Sequence, residues 1–241
     1  MMRIKITESS LKYNNLIYIK SAFGGLLERM NGKESLNNFK NRCEYNLNVP
    51  DEYAEILDME LRDKMADIIA VNYKHIFFKK HVKISGLSKI DKELLLTALI
   101  AADIDEDKKY IIKKLSNYEE YTLDGLFNFR MKPLKEKWHE ITTYIPPAFT
   151  KTQLKDFIGY LIKDKGGKIV YVEGDKVYDK RFNLLQRHKL LSEDSLKFSL
   201  LKEILLSSAG EVELCSRTSE KEEKYLKEFY GNRLRFNQSY Y

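Results

Sequence analysis

The sequence has little cysteine and no long apolar run. Its two cysteines, Cys43 and Cys215, are too few for a disulfide framework and belong to no Cys-x-x-Cys pair. Two free thiols are typical of a protein in a reducing compartment. The longest apolar run, LLLTALIAADI from Leu94, is too short to cross a bilayer, and the opening MMRIKITESS lacks the apolar core of a signal peptide. We therefore expect a cytoplasmic protein with no membrane span.

Familiar catalytic and metal-binding motifs are also missing. His75 and His81 are six residues apart, a spacing that does not place both on one face of a helix. The Gly24-Gly25 and Gly166-Gly167 pairs lack the further glycines and the Lys-Ser/Thr of a phosphate-binding loop. No Gly-x-Ser-x-Gly motif marks a nucleophilic serine. The sequence therefore predicts no catalytic residue, no metal ion and no cofactor, and it favours a protein that is not an enzyme.

The overall composition is that of a globular protein. Hydrophobic residues make up 43% of the 241 residues and charged residues 32%. The formal charge of +6 arises from 42 basic and 36 acidic residues, mixed along most of the chain. This excess is milder than a dedicated nucleic-acid-binding protein usually carries.

The apolar periodicity divides the chain into three parts. Residues 1–49 predict a β-α-β segment, residues 50–165 predict helices throughout, and residues 166–241 predict an α/β region with a β-hairpin near its start. We therefore predict an α+β or α/β fold: a mainly helical middle segment and a small mixed sheet domain. The C-terminal part forms that domain together with the N-terminal segment, and their strand-helix-strand order favours parallel pairing. Two separate end domains are the alternative.

One stretch of the helical part, TLDGLFNFRMKPLKEKWHEI from Thr122, contains an arginine in an apolar stripe. The stripe steps by three or four residues through Leu123, Phe127, Arg130, Leu134, Trp138, Ile141 and Ile145. Because a buried guanidinium without a partner is very costly, we expect Arg130 to be paired, to reach the surface, or to bind a ligand.

Three neighbours of Arg130 carry further expectations. Asp124 lies in the first turn, where a carboxylate suits the helix dipole. Gly125 weakens a helix by about 1 kcal/mol relative to alanine, which suggests that another backbone approaches closely there. Pro133 lacks a backbone N–H, so it should kink or split the helix between residues 128 and 132.

The ten residues from Leu123 to Lys132, LDGLFNFRMK, resemble the LEGFxRFRLK signature of the YtxC-like sporulation proteins. The helix sequence QLKDFIGYLI, Gln153 to Ile162, is similar to a second segment of that family, and the resemblance extends over roughly residues 61–236. It implies a cytoplasmic, sporulation-associated protein of endospore-forming bacteria. Residues of the signature helix that we expect to bind a ligand or partner are Asp124, Gly125, Phe129, Arg130 and Lys132.

A second set of candidate residues is basic. If the helices bring them together, they form a patch that attracts phosphate groups or an acidic partner. Its members are Lys79, Lys80, Lys83, Lys108, Lys109, Lys113 and Lys114.

These observations leave three functions open. The favoured function is contact with another protein, whose identity the sequence does not give. The alternatives are nucleic-acid binding through the basic helical patch, and an enzyme or sensor that holds a small anion with Arg130. Oligomerisation stays open as well.

Overall fold

The computed structural model describes residues 2–115, 120–164, 166–191 and 197–237. The helices are α1 (Tyr13–Arg29), α2 (Ala54–Asp67), α3 (Lys74–His81), α4 (Lys89–Ala102), α5 (Ile104–Lys114), α6 (Leu123–Arg130), α7 (Lys132–Tyr144), α8 (Lys151–Asp164), α9 (Ser199–Leu206) and α10 (Glu220–Tyr230). The strands are β1 (Met2–Ser9), β2 (Lys33–Asn38), β3 (Arg42–Val49), β4 (Glu120–Thr122), β5 (Ile169–Glu173), β6 (Lys176–Tyr178), β7 (Leu184–Leu185), β8 (Glu211–Leu214) and β9 (Leu234–Phe236). A π-helical segment, Ile68–Tyr73, lies between α2 and α3.

The described residues belong to two compact units. Unit 1 comprises Met1–Lys74 and Asp105–Glu140, and unit 2 comprises His75–Ile104 and Ile141–Tyr241. Each unit contains one small mixed sheet, so the predicted α+β fold is confirmed. The preferred expectation that both ends of the chain share one sheet is wrong, because the N-terminal and C-terminal strands belong to different sheets.

The sheet of unit 1 has the strand order β2-β3-β1-β4. Along β1 the side chains alternate, so that Ile4, Ile6 and Glu8 are buried and the residues between them are more exposed. The expected parallel pairing is wrong for the first β-α-β segment, since β2 intervenes and β3 runs antiparallel to both β1 and β2. Only β4 pairs in parallel with β1 among the described strands of this unit. Helix α1 packs against β1, β2 and β3.

The sheet of unit 2 has the strand order β7-β6-β5-β8-β9. The predicted hairpin is confirmed as β5 and β6, with Gly174 at a φ of +61° in the turn between them. Ser219 caps the start of α10, since its hydroxyl accepts a hydrogen bond from the Glu222 N–H. The apolar spacing from Leu191 to Leu206 predicts an amphipathic helix, of which Ser199–Leu206 is helical, while residues 192–196 lie outside the described residues.

Unit 1 contains a fully buried ion pair. The Lys74 ammonium lies 2.7 Å from the Asp107 Oδ2, and both side chains are inaccessible to solvent. The Trp138 indole N–H donates to the same oxygen at 2.9 Å, and the Lys137 ammonium donates to the Asp107 Oδ1 at 2.8 Å. This carboxylate therefore joins α3, α5 and α7 through hydrogen bonds that its negative charge strengthens.

Asp107→Asn should lower the free energy of unfolding of the protein by about 3 to 5 kcal/mol, because it leaves the Lys74 charge buried without its carboxylate. The matched control is Glu136→Gln, which breaks the exposed Lys132–Glu136 pair and should change stability by less than about 0.5 kcal/mol. Urea unfolding at pH 7 measures both values. Equal stability of the two variants would contradict the importance of the buried pair.

Candidate functional site

The signature stretch forms two helices rather than one. Helix α6 ends at Arg130, Met131 adopts a non-helical conformation, and α7 begins at Lys132. Pro133 cannot donate a backbone hydrogen bond, but it is tolerated in the first turn of α7, where such bonds are absent. The predicted split at Pro133 is therefore confirmed.

The split takes Arg130 out of the apolar stripe and to the surface, one of the three outcomes expected for it. Leu123 and Leu126 are buried on α6, but the apolar stripe then continues through Met131, Leu134 and Trp138. The interruption at Met131 shifts the helical register by one residue, so Met131 occupies the buried position expected for Arg130. Arg130 itself is exposed to solvent.

Arg130 and Phe129 line an open groove of 370 Å³ that we call the β4–α6 groove. Its residues are Glu120, Tyr121, Thr122, Gly125, Leu126, Phe129 and Arg130. The Phe129 ring is 87% exposed, an unusually large apolar exposure for a side chain of this size. Strand β4, which forms one wall, is an edge strand of its sheet. The groove thus combines an exposed aromatic ring, a guanidinium and a sheet edge.

Gly125 contributes to this groove in a different way from the one expected. A Cβ atom added at Gly125 would lie 3.4 Å from Thr122 Cγ2, an ordinary van der Waals contact. The expected close approach of another backbone is therefore wrong. The missing side chain leaves space in the groove between Thr122 and Phe129.

Asp124 lies at the start of α6 and connects that helix to two other elements of unit 1. Its Oδ2 accepts the backbone N–H of Ser9 at 3.1 Å, and its Oδ1 lies 2.5 Å from the Lys12 ammonium. The same Oδ1 accepts a hydrogen bond from the Tyr73 hydroxyl at 3.0 Å. Asp124 therefore joins α6 to the end of β1 and to the π-helical segment, a larger structural role than assisting the helix dipole.

Glu8 extends this network into the core of unit 1. Its Oε1 accepts a hydrogen bond from the Asn15 amide at 3.0 Å and lies 2.8 Å from the Tyr73 hydroxyl, whose single proton can be donated to Glu8 or to Asp124. The Lys12 ammonium lies 3.8 Å from the same oxygen and 3.6 Å from the centre of the Tyr73 ring. The Glu8 Oε2 is buried and has no hydrogen-bond partner among the described residues. We call Glu8, Lys12, Asn15, Tyr73 and Asp124 the anchor network.

The two carboxyl groups of the anchor network have opposite pKa shifts. Burial raises the pKa of Glu8 from its ordinary 4.5 to about 7, although hydrogen bonds from Tyr73 and Asn15 act in the other direction. Burial also opposes ionisation of Asp124, but the hydrogen bond and charge of Lys12 outweigh it and lower the pKa of that carboxyl. Burial and the two neighbouring carboxylates raise the pKa of Tyr73. Near neutral pH, Asp124 is thus ionised while Glu8 is poised to gain a proton.

The chemistry of the anchor network is that of a pH-sensitive structural link. With Glu8 protonated, a chain of hydrogen bonds can run from Glu8 through the Tyr73 hydroxyl to the Asp124 carboxylate. Glu8 and Tyr73 are only 2% and 4% exposed, so a substrate cannot reach their oxygen atoms. The network therefore positions α6, while the exposed side chains of the β4–α6 groove are available for contact.

The sequence analysis missed four of the five anchor residues. The alternating run RIKIT predicts a first strand over residues 3–7, which ends one residue before Glu8. Extending its alternation by one residue places Glu8 beside Ile4 and Ile6 on the buried face of β1. A carboxylate on that buried face needs a hydrogen-bond donor, so a glutamate in the apolar row was the signal in the sequence for a buried polar network.

The predicted basic patch loses one member. Lys108 is only 7% exposed and forms ion pairs with Asp63 at 2.7 Å and Asp67 at 2.8 Å. Including it in an exposed patch was wrong, because it lies in the buried stripe between Ile104 and Ile111.

The other six lysines of the predicted patch divide between the units. Lys79, Lys80 and Lys83 belong to unit 2, and Lys79 lies 3.5 Å from Glu93. Lys109, Lys113 and Lys114 are exposed on α5 in unit 1. Lys132 is exposed on α7 and pairs with Glu136 at 3.7 Å, so its predicted part in binding stays a prediction.

Comparisons with protein-family models, with curated proteins and with solved structures found no match. Within the described ranges, no group of three histidine, cysteine or acidic side chains is arranged to hold a metal ion. No helix in this part of the chain has both the length and the apolar character needed to cross a bilayer.

The stability of the protein should fall between pH 4.5 and 8 because of Glu8. A carboxyl whose pKa is raised on folding binds its proton more tightly in the folded state, so it favours folding below the unfolded pKa, near 4.5. That contribution is lost as the pH rises through about 7. The shift corresponds to about 3 kcal/mol.

Glu8→Gln should remove this dependence, since glutamine keeps the acceptor for Tyr73 and cannot ionise. From pH 4.5 to pH 8, the unfolding free energy of the wild type should fall by about 3 kcal/mol relative to that of Glu8→Gln. Denaturant unfolding across that range measures the difference. A difference independent of pH would show that Glu8 has an ordinary pKa.

Proposed function

We propose that this chain acts by binding another protein through the β4–α6 groove, and not by catalysing a reaction. The observation that carries the proposal is the exposed Phe129 ring beside Arg130 in that groove. Aromatic residues and arginine are enriched at the centres of protein interfaces, where the ring is buried and the guanidinium forms charged hydrogen bonds.

The anchor network supports the proposal because it fixes the helix that carries both side chains. A rigid binding surface loses less conformational entropy on association than a mobile one. Asp124 links the first turn of α6 to Ser9, Lys12 and Tyr73, while Phe129 and Arg130 lie in its last turn. The contact residues are therefore presented by a short helix with a buried attachment.

The cellular context of the proposal rests on separate observations. An association with sporulation rests on the likeness of LDGLFNFRMK to the YtxC-like signature. A cytoplasmic location is supported by the two free thiols, Cys43 and Cys215, which suit a reducing compartment. The bound protein is either a different chain or a second copy of this one.

The alternatives receive weaker support. The basic helical patch lacks Lys108, and its remaining lysines lie in two units. A small anion at Arg130 would need further donors, and none of the other groove side chains is cationic. Both alternatives stay predictions.

A photo-reactive amino acid at position 129 tests the proposal directly. The chain carrying it is expressed in its source cells and irradiated, and the matched control carries the same group in place of Tyr160, which is 66% exposed on α8. We expect a defined cross-linked species from position 129 that is missing from position 160. No adduct at 129, or the same adducts at both positions, would contradict the proposal.

Substitution then separates binding from stability. Phe129→Ala and Arg130→Ala should each weaken capture of the cross-linked partner at least tenfold, as expected for residues at the centre of an interface. Their unfolding free energies should change by less than about 1 kcal/mol, since both side chains are exposed. Tyr160→Ala is the control for binding. If Arg130→Ala instead unfolds the protein, its guanidinium is structural.

A further inference from the structure

A second surface of unit 1 shares Glu120 with the β4–α6 groove and otherwise has a different lining. Alternation along β1, β2 and β3 divides the sheet into a buried apolar face, covered by α1, and an open polar face. The open face contains a groove of 480 Å³. Its lining holds three cations, Arg3, Lys5 and Lys33, and two carboxylates, Glu34 and Glu120. Ser35, Asn46 and Asn48 add neutral polar groups.

Strand register fixes how these side chains are arranged. Asn48 lies opposite Arg3 on one side and Lys33 on the other, so these three residues form one row across the sheet. Asn46 lies opposite Lys5 and Ser35 in the next row. Adjacent strands are about 4.8 Å apart, and rows on one face are about 6.8 Å apart. The result is a flat array of cations with amides between them.

The charges of the array are only partly compensated. Arg3 and Lys33 are exposed, and neither has an acidic partner within 4 Å in the described part of the chain. Lys5 has only long contacts, 3.7 Å to Glu44 and 3.9 Å to Glu120. Glu44 is held mainly by Arg42, at 2.5 Å. With three cations against the two carboxylates of its lining, the groove carries a net positive charge.

We infer that this open sheet face binds single-stranded nucleic acid. Phosphate groups complement the cations, and the Asn46 and Asn48 amides can donate to and accept from base edges, which are accessible in a single strand. A face of four strands is too broad to enter the major groove of a duplex, which is about 12 Å wide. The described residues lining this groove include no aromatic ring for base stacking, so binding should depend on charge and little on sequence.

Fluorescence anisotropy with a labelled twelve-nucleotide strand tests the inference. We expect binding at about 50 mM salt that weakens with added salt, with a slope of log K on log salt near −2 for three phosphate contacts. Oligo-dT and oligo-dA should bind with affinities within about threefold of each other, and a duplex of the same length should bind more weakly.

Two charge-matched variants locate the site. Arg3→Gln/Lys33→Gln should weaken binding at least tenfold and reduce the slope by about 1.4, since two phosphate contacts are lost. Lys155→Gln/Lys163→Gln removes the same charge from exposed positions of α8 and should bind like the wild type. Matching thermal unfolding midpoints would show that both variants are folded.

Three results would overturn the inference. The first is that the wild type leaves the single strand unbound at low salt. The second is that the two variants lose affinity equally. The third is that a poly-glutamate peptide displaces the strand as well as unlabelled nucleic acid does. The last result would identify the face as a site for an acidic protein segment. None of these measurements involves Phe129 or Arg130, so they are independent of the proposed protein contact.

Discussion

Unit 1 depends on how it accommodates charged groups inside its core. Burying an ionised side chain without a partner is strongly unfavourable, so each buried charge requires other groups at fixed distances. Asp107, which is inaccessible to solvent, meets the requirement with Lys74, Lys137 and Trp138. Asp124, whose side chain is 31% exposed, is held in the same way by Lys12, Tyr73 and the Ser9 N–H. Because these partners come from elements far apart in sequence, the hydrogen bonds fix the positions of short elements that bury little apolar surface.

Helix α6 shows the functional consequence. It has eight residues and buries only Leu123 and Leu126, too little by itself to hold an isolated helix of this length. The carboxylate at its first turn attaches it to β1 and the π-helical segment, while Phe129 and Arg130 in its last turn are exposed to solvent. The same device that stabilises the helix therefore makes a surface for a partner. Glu8 makes that attachment sensitive to pH, since its protonation changes the charge beside Tyr73 and Lys12.

Local sequence rules predicted the features that depend on near neighbours. The α+β fold, the β5–β6 hairpin, the cap at Ser219 and the split at Pro133 each follow from residues within one or two turns of each other. The shared sheet was wrong because strand pairing depends on contacts that periodicity does not encode. Helix α5 shows that the rule applied to Arg130 was sound, since Lys108 lies in an apolar stripe and does have buried carboxylate partners. At Arg130 the helix ends, and this break changes which side chains face inward, so the arginine reaches the surface instead of continuing the stripe.

Hydrogen exchange of the α6 amides in Asp124→Ala tests the central claim most directly. If Asp124 anchors the helix, the variant should lose protection at residues 126–130 while the amides of β1 and β3 stay protected, because local opening then costs less free energy than global unfolding. Unchanged protection of α6 in a folded Asp124→Ala protein would show that the apolar contacts of Leu123 and Leu126 suffice, and would contradict the anchoring role of the carboxylate.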